Sequence, residues 1–357
     1  MTLRIAVVAG LLAGLVLWDR ALSQAAVAER AERQRVGRLI PSAEREAMQI
    51  AALRLEFGSG ERHLYARVGG MWRCLTAFNA PADAQALQAL IGKLSEAEGR
   101  VQSDDPEQGP TYGIGTNETV RVSFCGPNVL ADPMGDVLWA CDVGRSFTGG
   151  DGSFVRVRGS REIWALDVDP HVEIDARHRP HLPPMLDGTI PSAAWAGQHG
   201  GIERIFVDRR DGTGFELLRN PIEVTPGEMR QGVVPYEWIL DPGESQQICH
   251  LQLATAFVFF SQTAPYEDLL SPAAADELGF DDPSYVPWVT VTFDPVQGDP
   301  LRLLVGDPLP GRGVPVQNPF TGLTYEVSRE VADLLQPSAQ QLLDPQLGNP
   351  WEPYLRR

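Results

Sequence analysis

Carboxylate and imidazole side chains crowd into residues 167–181, and they are the best candidates for chemistry in the sequence. Both groups are common ligands for zinc and similar ions. The spacing matches no common zinc motif, however, and Pro170 and Pro180 indicate an extended segment whose side chains are solvated. Two interpretations therefore stay open, a solvated linker and a metal site. The full cluster is Asp167, Asp169, His171, Glu173, Asp175, His178 and His181, of which we take His171, Asp175, His178 and His181 as candidate metal ligands.

Searches for other catalytic patterns give no assignable residue. The chain contains no Gly-x-Ser-x-Gly elbow, and its glycine-flanked serines, Ser59 and Ser153, fall in predicted hairpin turns. The glycine-rich residues 149–152 lack the Lys and Thr of a phosphate-binding loop. A carboxylate pair for glycoside hydrolysis is a spatial feature that a sequence does not reveal. We therefore predict no catalytic residue and no cofactor, and favour a protein that is not an enzyme.

Charge and cysteine content narrow the classes of partner and compartment. The formal charge of −17 argues against nucleic acid as a partner, because its phosphates would be repelled at long range. The four cysteines are too scattered for a CxxC motif. Cys125 and Cys141 lie on strands that could be neighbours, so they form either a disulfide in an oxidising compartment or buried free thiols.

Residues 53–168 and 205–327 carry the same landmarks in the same order, which indicates an internal duplication. Each copy has a strand pair, a tryptophan, a helical stretch, a glycine after that stretch, and alternating strands that end in a final aromatic strand. Two unrelated sheets with similar turn chemistry are the alternative. The residues predicted to have structural roles are Trp72, Gly113, Gly144 and Trp164 in the first copy, and Trp238, Gly279, Gly306 and Tyr325 in the second.

The periodicity of these copies predicts an α+β fold, in which each unit has a largely antiparallel sheet and one packed helix. Apolar residues at helical spacing predict one helix after Pro81, through Leu87, Leu90, Ile91 and Leu94, and an apolar stretch at 251–260 predicts its counterpart. Alternating residues predict strands at 120–124, 137–143, 154–157 and 163–166. Residues from Pro337 onward read as a loosely packed tail.

The N-terminal segment predicts export from the cytoplasm. Residues 5–18 form an apolar run of 14 residues, which suits a signal peptide or an uncleaved anchor better than a full span of about 20 residues. Residues 25–38 are rich in Ala, Glu and Arg and read as a solvated helix. We predict a signal anchor or signal peptide at 1–22, a helical stalk at 23–47, α+β units at 48–168 and 201–337, a Pro/His-rich connection at 169–200, and a tail at 338–357.

Several of these landmarks together resemble the bacterial domain-of-unknown-function 4340 family. The similarity rests on the short N-terminal membrane segment, the lead-in 39–41, the strand pair ending at Arg67, Trp72 after glycine, and the later landmarks 81–83, 112–113, 143–144 and Trp164. It covers the first copy well and the second more loosely, where Asp307 and Pro308 stand in place of Arg145 and Ser146. Family members are envelope proteins, often encoded beside ABC transporter components and gliding-motility auxiliary proteins. The resemblance implies a membrane-tethered accessory protein and no catalytic residues.

These observations lead to one favoured function and two alternatives. The favoured prediction is a non-enzymatic, single-pass protein of the inner membrane, held by its N-terminal helix with its bulk in the periplasm or outside the cell. Its partner would be an ABC permease or a gliding-type auxiliary protein. The first alternative is a module that binds a cell-wall glycan or polysaccharide between the units, through Trp139, Trp195 or Trp288. The second is a metal-dependent hydrolase that uses residues 171–181.

Overall fold

The computed structural model describes residues 36–132, 135–148, 150–175, 182–191, 201–231, 233–241 and 246–355. The contacts between residues divide the chain into two compact units. The first contains Met1–Arg67 and Ala84–Arg177, and the second contains Val68–Asp83 and His178–Arg357. Residues 68–83 group with the second unit because they pair with its 182–191 segment, as in the backbone bond from Asp83 N–H to the Met185 carbonyl (2.9 Å).

The first unit is a sheet of antiparallel pairs with few helices. Its strands follow the order β1-β6-β10-β9-β8-β7-β2-β3. The elements are β1 (Val36–Arg38), α1 (Ser42–Ala47), β2 (Ala52–Phe57), β3 (Arg62–Val68), α2 (Ala84–Glu96), β6 (Glu98–Ser103), β7 (Val120–Cys125), β8 (Val137–Ser146), β9 (Ser153–Val157), β10 (Ile163–Leu166) and α3 (His171–Asp175), with 3₁₀ turns at Pro106–Tyr112 and Pro127–Leu130.

The core of the first unit follows the predicted periodicities. Leu53, Leu55 and Val122 of the central strands β2 and β7 are fully buried, and residues on the opposite face, Arg54 and Ser123, are buried as well. Helix α2 buries Leu87, Leu90 and Leu94, which lie on one face at helical spacing, while its polar Gln85 and Gln88 are exposed. The predicted helix and the four predicted strands of this unit are confirmed, with boundaries that differ by no more than a few residues.

The second unit is also built mainly from antiparallel strands, in the order β14-β13-β12-β11-β16-β17-β18-β19-β15. The hairpin of β4 (Met71–Cys74) and β5 (Ala80–Pro81) follows β3 in the ten-stranded sheet order but groups with the second unit by its contacts. The remaining strands are β11 (Ile202–Arg209), β12 (Gly214–Pro221), β13 (Tyr236–Leu240), β14 (Gln247–Ile248), β15 (Asp268–Leu269), β16 (Val289–Pro295), β17 (Leu301–Val305), β18 (Val314–Asn318) and β19 (Leu323–Val327).

Short helices and one long helix complete the second unit. Helix α5 (Leu251–Thr263) covers the predicted apolar stretch and buries Leu253, Ala254, Phe257 and Phe260. The predicted α+β class, with largely antiparallel sheets, is therefore confirmed for the described parts of both units. The helices are α4 (Pro226–Arg230), α5 (Leu251–Thr263), α6 (Pro272–Asp276), α7 (Arg329–Leu334), α8 (Ala339–Leu343) and α9 (Glu352–Leu355), with a 3₁₀ turn at Pro345–Leu347.

The strand orders of the two units correspond. The ladder β6-β10-β9-β8-β7-β2-β3 of the first unit has the same connectivity as β15-β19-β18-β17-β16-β11-β12 of the second. A helix of 13 residues precedes β6 in one unit and β15 in the other. The registers also agree, because Val120 lies between Phe57 and Val143 as Val289 lies between Arg209 and Val305.

Both ends of the described chain differ from the sequence-based predictions. Residues 36–38 of the predicted helical stalk form strand β1, which pairs with β6 because its backbone completes that edge of the sheet. Residues 338–355 do not form a loose tail. Trp351 is fully buried against Phe257, with ring centroids 5.7 Å apart, and its indole N–H donates to the Leu334 carbonyl (3.1 Å).

The close approach of the backbone at Gly144 predicts a stability difference between two glycines of the first unit. A Cβ at Gly144 would lie 2.2 Å from the Tyr112 carbonyl oxygen, whereas a Cβ at Gly92, within α2, would meet no atom within 4 Å. We expect Gly144→Ala to lower the free energy of unfolding by about 1–3 kcal/mol. Gly92→Ala, the matched control, should raise it by about 0.5–1 kcal/mol. Urea unfolding measures both, and equal effects would contradict the packing at Gly144.

Candidate functional site

The candidate metal ligands do not come together in the part of the chain that the structure describes. His171 lies at the start of α3, and its Nε2–H donates to the Gly144 carbonyl (2.7 Å), so that nitrogen is engaged in a structural hydrogen bond. The side chain of Asp175, with His178 and His181, lies outside the described residues. Within the described ranges, no group of three or more His, Cys, Asp or Glu side chains is arranged to hold a metal ion.

The residues predicted to be structural lie at buried or sterically tight positions. Gly113 and Gly279 both have positive φ angles, of 76° and 72°, where glycine is favoured. A Cβ at Gly306 would lie 2.8 Å from the Phe280 ring, a close approach that is less tight than the one at Gly144. The four aromatic residues lie on strands with at most 8% of their surface exposed, namely Trp72 on β4, Trp164 on β10, Trp238 on β13 and Tyr325 on β19.

The cysteines are free thiols. Cys141 lies opposite Val122, and Cys125 lies opposite Val137. Cys125 lies three positions beyond Val122, which corresponds to roughly 10 Å along the strand and is beyond the reach of a disulfide. Burial raises the pKa of the Cys125 and Cys141 thiols, and it raises that of Cys249 to about 12. The disulfide considered from the sequence is therefore not formed.

The tryptophans considered for glycan binding differ in exposure. Trp139 is only 6% exposed and packs against Phe124 with ring centroids 5.0 Å apart, while its neighbour Leu138 takes the exposed face of β8. Trp139 is therefore a core residue, and the expectation that it presents an open surface was wrong. Trp195 lies outside the described residues. Trp288 is 46% exposed, at the residue before β16.

A groove lies along the outer face of α5 in the second unit. It has a volume of about 790 Å³, within the range of known ligand sites. Leu251 and Phe259 of α5 line it and are 39% and 49% exposed. We call this feature the α5 groove, and its lining residues are Val234, Tyr236, Leu251, Gln252, Thr255, Ala256, Phe259, Asn349, Glu352 and Leu355.

Two segments that lie far apart in the sequence form the walls of the α5 groove. One wall contains Tyr236, whose ring packs edge-on against buried Trp238 at 6.0 Å and lies 4.2 Å from the guanidinium carbon of Arg219. The other contains α9, which Trp351 positions by burying its ring against Phe257 on the inner face of α5. The groove therefore has a rigid base, because both walls are held by buried aromatic rings.

Exposed apolar side chains extend the surface beyond the groove. Ile222, Met229 and Val233, all at least 36% exposed, lie on the segment that leads into the Tyr236 wall. The corresponding helix of the first unit is different, since it exposes no large apolar side chain and its exposed residues are Ala84, Gln85, Gln88 and Glu96. Apolar residues exposed on a helix that also lines a groove are typical of a surface that binds another apolar segment.

The groove can bind an apolar ligand but offers no obvious chemistry. Its polar side chains include Gln252, Thr255 and Asn349, which supply donors and acceptors around an apolar floor. The sequence does not reveal this site because α5 is apolar on almost every side, so its pattern indicates burial without identifying an exposed face. The exposure of Phe259 marks the site in the structure. That exposure depends on where the sheet lies, which the sequence does not show.

The comparisons with known proteins leave the family open. No protein-family model, no curated protein and no solved structure matches this chain. The resemblance to the domain-of-unknown-function 4340 family therefore stays a prediction. Among the described residues, no helix combines the length and the apolar character needed to cross a bilayer. The predicted anchor at 5–18 lies outside those residues.

The buried thiols predict slow modification in the folded protein. Because the thiolate is the reactive species, the raised pKa of Cys125, Cys141 and Cys249 should keep them largely unreacted with Ellman's reagent at pH 8. Protein purified without reductant should then show four reactive thiols in guanidinium. The exposed position Thr255, substituted as Thr255→Cys, provides a fast-reacting control. Only two reactive thiols in guanidinium would indicate a disulfide and contradict the structure.

Proposed function

We propose that the two units are a tandem duplication of one α+β unit. The proposal is supported by the shared strand connectivity and by the matching register at Val120 and Val289. Unrelated antiparallel sheets can share a hairpin, but seven strands in one order with equivalent pairing is a far more specific likeness. On this proposal, α5 is the counterpart of α2, and the differences between their outer faces are differences of function.

We further propose that the protein is a non-enzymatic, membrane-anchored accessory subunit of an envelope system for ABC-type transport or surface assembly. The single observation that carries this proposal is the α5 groove, with Leu251 and Phe259 exposed, whereas the related helix α2 exposes no large apolar side chain. An apolar groove along a helix suits an amphipathic segment of another protein, with apolar anchors at helical spacing. The N-terminal apolar run at 5–18 supports attachment to the membrane that holds such a partner.

Membrane attachment is tested by fractionation of the full chain expressed in a bacterial host. We expect the protein to stay in the membrane pellet after a wash with alkaline sodium carbonate, because an inserted apolar segment resists extraction. Replacement of residues 1–22 by a cleavable signal peptide should move the protein to the soluble periplasmic fraction. Recovery of the unaltered chain from the soluble cytoplasm would contradict the proposal.

The partner surface is tested by photocrosslinking in intact membranes. A photoreactive amino acid at the exposed Thr255, inside the groove, should crosslink to an integral membrane protein, which mass spectrometry then identifies. The matched position is Gln88, exposed on α2 of the first unit, and it should give no such product. Equal products from both positions, or none from Thr255, would contradict binding in the α5 groove.

A substitution within the groove gives the energetic test. Phe259→Glu should reduce the recovered partner at least tenfold, because loss of a central aromatic anchor costs about 2 kcal/mol or more. Phe320→Glu is the matched control, since Phe320 is 53% exposed and lies outside the groove. A partner that is recovered equally well with both variants would bind elsewhere, and the proposed role of the groove would be wrong.

A further inference from the structure

The two units can be compared residue by residue at one corner of the sheet. The residue after β2 donates its N–H to the carbonyl of the residue before β7, from Gly58 to Thr119 at 2.8 Å. The same bond in the second unit runs from Arg210 to Trp288 at 3.0 Å. Because the adjacent strand positions also match in register, these positions are structural equivalents. Each corner has a third residue, which follows Gly144 in the first unit and Gly306 in the second. It is Arg145 in the first unit and Asp307 in the second.

In the first unit this corner is closed by backbone. A Cβ at Gly58 would lie 2.5 Å from the Thr116 carbonyl oxygen and 2.7 Å from the Cα of Asn117. The Thr119 hydroxyl donates to the Gly113 carbonyl (2.8 Å) and so ties the same loop down. The unit thus builds this corner from a glycine and a threonine, and the fold requires no large side chain there.

In the second unit the same corner is open and carries larger side chains. A cavity of about 460 Å³ is lined by Arg209, Arg210, Asp211, Trp288 and Gln336, and we call it the Trp288 corner. The ring of Trp288 is 46% exposed, which leaves much of a large apolar surface in water. An aromatic ring that the fold does not require, and that remains exposed beside a cavity, indicates a binding surface.

The arginines of the Trp288 corner are fixed by contacts within the unit. Arg210 makes a two-pronged ion pair with Asp307, with distances of 3.1 and 2.8 Å. Arg209 donates through Nη2 to the carbonyls of Gln336 and Pro337, each at 2.8 Å. These contacts hold the polar groups in place around the ring, so a ligand would meet a surface that is already organised.

The charges of the corner favour a neutral ligand. Two arginines are balanced by Asp211 and Asp307, so neither a phosphate nor a quaternary ammonium group meets an excess of opposite charge. Hydrogen bonds from the Thr213 hydroxyl and backbone N–H lower the pKa of Asp211, so its carboxylate is ionised and accepts hydrogen bonds at neutral pH. Gln336 adds a side-chain amide that both donates and accepts.

We propose that the Trp288 corner binds a neutral sugar of an envelope glycan. The sugar ring stacks its C–H face on the Trp288 indole, and its hydroxyl groups donate to Asp211 and exchange hydrogen bonds with Gln336. This site lies in the second unit alone and does not depend on the α5 groove, because no lining residue is shared.

The test uses neutral trisaccharides as probes, namely cellotriose, maltotriose, mannotriose and chitotriose. Full-length protein in detergent is titrated with each by saturation-transfer NMR, with inorganic phosphate as the charged comparison. We expect at least one trisaccharide to bind with a Kd below about 1 mM, as a shallow stacking site allows. Trp288→Ala should weaken that binding at least tenfold. Phe320→Ala, at another exposed aromatic, and Phe259→Glu, in the α5 groove, should leave it unchanged.

Conservative variants separate loss of stacking from loss of folding. Trp288→Phe keeps an aromatic face and should retain more affinity than Trp288→Leu, while both should unfold at the same urea concentration as the parent. Three results would overturn the proposal. They are no binding of any trisaccharide, binding that persists in Trp288→Ala, and binding of inorganic phosphate alone.

Discussion

Antiparallel pairing at the centre of each sheet is the constraint on which the rest of the molecule depends. The pairs β2 with β7 and β11 with β16 set the register in which Leu55 and Val207 are fully buried. A slip of one residue would move every buried side chain to the opposite face, so the apolar pattern permits only one register. The same register brings the ends of three strands together at one corner of each unit, and the identity of the side chains there is then free to vary.

Variation at that corner and on the helix separates the two units functionally. The first unit closes its corner with the backbone around Gly58 and presents polar residues on α2. The second unit carries Arg210 and Trp288 at the equivalent positions and exposes Phe259 on α5. Both candidate surfaces, the α5 groove and the Trp288 corner, therefore lie in the second unit. The first unit has neither the exposed aromatic side chain on its helix nor the large side chains at its corner. On the proposal of a tandem duplication, one copy would maintain the architecture while the second accepts exposed side chains such as Phe259 and Trp288.

The sequence predicted the regular elements well and the surfaces poorly, for physical reasons. Alternation from Val120 to Phe124 and the spacing of Leu87, Leu90 and Leu94 in α2 report local periodicity, which a strand or helix must satisfy wherever it packs. Alternation does not say which face is buried, so Trp139 was assigned to the wrong one. Other features join distant parts of the chain, and no local pattern encodes them. They are the contact of Trp351 with α5, the grouping of residues 68–83 with the second unit, and the pairing of Arg210 with Asp307.

The contact between Trp351 and Phe257 has a consequence for how the second unit assembles. All of the strands from β15 to β19 lie between these two residues in sequence, so the inner face of α5 is completed only after a long loop has closed. Contacts between residues so far apart in sequence slow folding. Until Trp351 packs against it, the apolar face of α5 is exposed and prone to aggregation. The export route proposed for this protein would make that interval hazardous, since the helix would cross the membrane region uncovered. A holding chaperone outside the cytoplasm would therefore act on the second unit more than on the first.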